Sequence, residues 1–67
     1  MDEKVFKINE GGLMDMKQAA AYLAIKVSTL YQFCMRREIP VVKIGRLNRF
    51  RRQDLDAFIN SNVTEKA

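Results

Sequence analysis

Residues 15–38 read DMKQAAAYLAIKVSTLYQFCMRRE, and two helices can be read from them. Asp15 is a favoured N-cap, and Gln18 three residues later completes a capping-box pattern, so a helix starts after Asp15. Met16, Ala19, Ala20 and Leu23 recur at i, i+3, i+4 and i+7, which places them on one apolar face. Ala19, Ala20 and Ala21 are small enough to let a second helix cross closely. The first helix is expected to end near Ala24, and a short turn over 24–27 leads to a second helix from about Val27 to Glu38. Wound at about 100° per residue, that helix turns Val27, Leu30, Phe33 and Cys34 to the core. Ser28, Tyr31, Gln32, Met35 and Arg36 lie on or beside the opposite face.

Pro40 stops the second helix, because the residue before a proline avoids the helical region. Downstream, Val41–Ile44 reads as a strand, Gly45-Arg46-Leu47-Asn48 as a turn, and Arg49-Phe50-Arg51 as a returning strand with Phe50 inward and the arginines outward. A last helix over about Arg52–Ser61 carries Leu55, Phe58 and Ile59 on its apolar face, with Asp54 in the first turn where an acid suits the helix dipole. The expected fold is mainly α with a small β-hairpin: a winged helix-turn-helix in the order helix-helix-hairpin-helix. Residues 1–12 end in Gly11-Gly12 and read as a flexible arm in which Val5, Phe6 and Ile8 can dock on the domain. The domain spans 13–61, and 62–67 read as a frayed tail.

With 67 residues the chain holds one small domain, and 48% hydrophobic residues exclude wholesale disorder. A single cysteine, Cys34, cannot form an internal disulfide and reads as a small core residue in a reducing compartment. No apolar run nears the roughly 20 residues of a membrane span, and residues 1–10 have no signal-peptide core, so the expected location is the cytoplasm. There is no histidine, no Cys/His cluster and no phosphate-binding glycine loop, which argues against an enzyme, a metal centre or a cofactor. Net charge is +4, but residues 26–52 alone carry +7 (eight basic side chains against Glu38), which leaves −3 for the rest. So uneven a field attracts polyanions.

The outward face of the second helix has the chemistry of a groove reader. Gln32 can make a bidentate contact with adenine, Ser28 can bond to a base or phosphate, and Tyr31 offers a ring and a hydroxyl. Lys26 in the turn and Arg36 at the helix end can hold phosphates. A basic hairpin carrying Lys43, Arg46, Arg49 and Arg51 can follow the backbone or dip into the minor groove, with Arg46 at its tip and Asn48 assisting. Asp54 and Asp56, two apart on a helix, diverge and do not form a carboxylate pair.

Taken in order, Ala19-Ala20, Ser28-Thr29-Leu30-Tyr31, Glu38-Ile39-Pro40, Lys43-Ile44-Gly45-Arg46, Arg49-Phe50 and Asp54-Leu55 resemble the excisionase-type winged helix-turn-helix domains, relatives of the MerR DNA-binding fold. The resemblance runs from Leu13 to Ile59, 47 of the 67 residues. It implies duplex DNA as partner, with the second helix in the major groove and the hairpin as a wing. Four positions depart from the family's habit. Ala24 stands where a turn glycine is common, and Lys26 replaces a capping serine, so Ser28 can take over the cap. Asn48 replaces a frequent aromatic, and Met35 stands where relatives are often basic.

The resemblance fits an excisionase-like factor that binds and bends DNA near an integrase site, with an integrase or recombinase as partner and cooperative self-association on DNA. The same module serves small transcriptional regulators. The bare module, without a sensing domain or a long dimerisation helix, favours the first. A protein-binding adaptor, presenting the arginine face or the Val5-Phe6-Ile8 arm to an acidic partner, is the alternative of a different class.

Overall fold

The computed structural model describes residues 12–64, in which two short helices, a hairpin and a third helix enclose one core. Strand β1 is Leu13–Met14, helix α1 Met16–Leu23, helix α2 Val27–Met35, strand β2 Val42–Ile44, strand β3 Leu47–Arg51 and helix α3 Arg52–Ser61. The three helices and the hairpin follow the expected order.

α1 begins as its sequence predicts. The Asp15 carboxylate accepts from the Gln18 amide at 2.8 Å, and the Gln18 side chain accepts from the Asp15 amide at 2.9 Å. Two of the orphan amides of the first turn are thereby satisfied. The helix closes in a Schellman motif: Ala24 adopts a left-handed φ of 60°, with Ala24 N–H to Ala21 O at 3.1 Å and Ile25 N–H to Ala20 O at 2.9 Å. α2 ends the same way, earlier than Glu38. Arg37 takes φ 60°, Arg37 N–H bonds Cys34 O at 3.0 Å, and Glu38 N–H bonds Phe33 O at 2.9 Å. Backbone geometry at Arg37, three residues before Pro40, therefore ends the helix.

The sheet holds three antiparallel strands in the order β1-β3-β2, one more than a hairpin. Leu13 pairs with Arg51 and Met14 with Phe50, so the segment ahead of α1 is clamped to the end of β3. The hairpin turn is tighter than the sequence suggests. Ile44 pairs with Leu47, leaving only Gly45-Arg46 as the loop, and Leu47 and Asn48 belong to β3. Gly45 has φ +62°, as a two-residue turn with glycine first requires.

Met14, Ala19, Ala20, Leu30, Ile39, Phe50 and Leu55 are buried and form the core, and Met16, Leu23, Ile25, Phe33, Cys34, Val41 and Phe58 pack around them. The two alanines let α1 lie close on α2. The Phe33 and Phe58 rings meet at 5.1 Å and 59°, joining α2 to α3. Two expected core residues are not inside: Val27 is 42% exposed in the first turn of α2, and Ile59 is exposed on α3. Ile39 and Met14, which no helical periodicity marks, are buried instead. Cys34 is half-buried, which pushes its thiol pKa up by desolvation.

Candidate nucleic-acid interface

Burial of Leu30, with Phe33 and Cys34 packed beside it, fixes the rotation of α2. The opposite side then presents Ser28, Tyr31, Gln32, Met35 and Arg36, all exposed. No acidic residue lies on the helix. Its N-cap is Lys26, whose side chain makes no capping hydrogen bond, and Ser28 lies inside the first turn. The cap therefore does not pass to Ser28. Lys26 O instead accepts from Thr29 and Leu30 N–H, each at 3.0 Å. The first amides of α2 and the positive end of its dipole stand beside Lys26, an arrangement that suits an anion.

At the other end of α2, the Arg36 guanidinium lies 5.4 Å from the centre of the Phe33 ring and 3.3 Å from the Glu38 carboxylate. Both partners hold the cation near the helix C-terminus, where positive charge is favoured.

Wing and helix meet on one side of the molecule. A shallow cleft is lined by Arg46, Leu47, Asn48 and Arg49 from the hairpin, by Val27 from the start of α2, and by Asp15, Met16 and Lys17 from the start of α1. Lys26 and Ser28 flank Val27 in sequence, so the cationic turn and the wing are neighbours. Lys17 is an additional cation here that sequence reasoning passed over. Its only signal is its place in the first turn of α1, and its proximity to the wing is purely tertiary.

The wing differs from a uniformly basic outer face. Register and strand alternation put Val42, Ile44, Leu47, Arg49 and Arg51 on one face, and Lys43, Asn48 and Phe50 on the other. Lys43 thus stands across the ribbon from Arg49. The outer face is half apolar: Ile44 and Leu47 form an exposed cross-strand pair beside the turn, 49% and 51% accessible. Arg46 is exposed in the turn itself. Arg49 is half-buried and donates from Nη1 to Asn48 O at 2.8 Å. The Asn48 side-chain oxygen is buried without a hydrogen-bond partner among the described residues, so that end of the amide does not face a ligand outside.

Arg51 is set apart from the other wing cations. It lies five residues past Arg46, roughly 16 Å along the strand, and binds Asp54 through two hydrogen bonds of 2.6 and 2.9 Å. That pairing, followed by the attraction of the carboxylate charge, raises the guanidinium pKa further. Asp54 and Asp56 diverge as expected: Asp54 serves Arg51, and Asp56 accepts from the Tyr22 hydroxyl at 2.5 Å.

Among the described residues no group of His, Cys, Asp and Glu side chains has the arrangement of a metal site, and no helix is long and apolar enough to cross a membrane. Among curated proteins and solved structures none matches the chain. The sequence profile of the helix-turn-helix domain family matches residues 13–63, about three-quarters of the chain, taking in both helices, the hairpin and the third helix described above. The chain belongs to the helix-turn-helix domain family.

Proposed function

We propose that the chain binds duplex DNA sequence-specifically, with α2 in the major groove and the wing against the adjacent backbone or minor groove. The observation that carries this reading is the exposed, acid-free face of α2 between Lys26 and Arg36, with Lys17, Arg46 and Arg49 gathered beside Val27 at the start of the helix. Phosphate contacts from those cations would set the register, and Ser28, Tyr31 and Gln32 would read bases. Arg46, exposed in the turn, is the residue we assign to the minor groove. Lys43, Asn48 and Arg51 are secondary contacts, given the face, burial and ion pair described for each.

Within that reading we assign the chain to the excisionase-like factors, on the resemblance of its motifs. It would bend DNA near an integrase site and bind neighbouring sites cooperatively. The exposed Ile44–Leu47 pair favours a second reading, in which the wing tip docks a protein such as a recombinase. Selection of bound duplexes from a random pool at near-physiological salt tests both. Close tandem sites support the excisionase-like role, and inverted repeats point to a dimeric regulator. Absence of any enriched duplex, with binding lost at modest salt, removes the DNA-reading function in favour of the protein-docking one.

A further inference from the structure

The outward stripe of α2 is chemically divided. Cations stand at its two ends, Lys26 ahead of the helix and Arg36 behind it. Between them Ser28, Tyr31, Gln32 and Met35 recur at i, i+3, i+4 and i+7 and carry no charge. Tyr31 is 52% exposed and Met35 65%. Neither belongs to the core or to the residues packed around it. Four positions apart, the two side chains are neighbours on the helix surface and form one apolar strip with Gln32 alongside.

An apolar strip between two cations, on the face that holds the candidate base readers, has a narrow choice of partners in duplex DNA. The major groove presents one apolar group, the C5-methyl of a pyrimidine, which thymine carries and cytosine lacks. Gln32, beside the strip, has the donor and acceptor that match adenine. Resting on the DNA-binding reading above, we propose that Tyr31 and Met35 recognise thymine through its C5-methyl group while Gln32 reads a neighbouring adenine. The preferred site then carries A·T pairs beneath the second half of α2. Lys26 ahead of the strip, with Lys17 and Arg46 on the cleft beside Val27, favours a phosphate-lined groove over an apolar protein surface as what covers it, while Arg36 at the other end is shared with Glu38. Methionine suits the task, since its unbranched thioether adjusts to the position of a methyl group.

The test begins with a duplex selected from a random pool by the whole chain. Each thymine is then replaced by deoxyuracil, which removes the methyl and leaves the hydrogen-bonding edge intact. The expected result is about fourfold weaker binding at one or two positions, the effect of burying one methyl. In a Met35→Gln variant, whose unfolding midpoint should match the parent because the side chain is exposed, that sensitivity should fall to about twofold, with the Tyr31 contact remaining. Placing 5-methylcytosine rather than cytosine at the same position separates the methyl from the base edge, and the methylated form should bind about fourfold better. Uniform indifference to uracil while selection still enriches a site would overturn the methyl contact and leave DNA binding standing. Equal uracil sensitivity in parent and Met35→Gln would remove Met35 from it. Failure to enrich any duplex would overturn both readings together.

Discussion

Leu30 is fully buried on the inner side of α2, so its truncation to alanine is expected to destabilise the protein by about 2–5 kcal/mol, read from denaturant unfolding. An unfolding midpoint equal to the parent's would mean that α2 is rotated from the phase described here. On the outer side, Gln32→Ala should leave stability unchanged and weaken binding to a preferred duplex by about 1–3 kcal/mol, with little effect on random duplex. Comparable losses on both would make Gln32 a general contact. The two residues are two positions apart, and helical winding alone separates a buried side chain from an exposed one. That difference in burial is legible in the sequence. The exposure of Val27 is not, because periodicity marks it apolar and inward, while only the fold shows the first turn of α2 bordering an open cleft beside the wing.

Both helices of the helix-turn-helix pair end on left-handed residues that carry a Cβ, Ala24 and Arg37. Left-handed geometry costs an L-residue about 1–2 kcal/mol, part of which glycine gives back through its freer unfolded chain. Ala24→Gly and Arg37→Gly should each stabilise the protein by about 0.5–1 kcal/mol in thermal unfolding. A loss of stability in Ala24→Gly would show that its methyl group packs usefully. The Tyr22–Asp56 hydrogen bond ties α1 to α3 and holds the Tyr22 phenol above its ordinary pKa of 10.0. A raised phenol pKa stabilises the fold below pH 10 and loses that contribution as pH rises through the folded value. Urea midpoints measured at pH 8 and at pH 11 should therefore fall further for the parent than for Tyr22→Phe, and an identical fall would leave the bond without influence on stability.

At this scale the sequence marks what is local and misses what is not. The capping box, the apolar face of α1, the inward Leu30, Phe33 and Cys34 of α2 and the whole span of α3 follow from residues within a turn of each other. β1 is two residues long and owes its existence to partners at 50 and 51, which no short-range pattern announces. The turn at Gly45-Arg46 is shorter than the sequence suggests, because Leu47 and Asn48 become strand only through Ile44 and Lys43. That register also sends Lys43 to the face away from Arg49.

Over the whole molecule, charge decides the response to salt. Arg46→Ala and Arg49→Ala should each flatten the dependence of log binding constant on log salt by roughly one contact, on every duplex tested. Arg51→Ala should flatten it less, because Asp54 already engages its guanidinium in two hydrogen bonds. Equal slopes for all three variants would mean that the Arg51 pair opens on binding.

The β1–β3 pairing also sets a direction. Leu13 lies opposite Arg51 in an antiparallel ladder, and Gly12 lines a hollow with Arg52 and Gln53, at the end of the sheet remote from the hairpin turn. A linker joined ahead of Gly12 therefore departs from the anchored end of the sheet. An attachment point at Gly12 and a contact made by the wing tip therefore fall at opposite ends of the sheet.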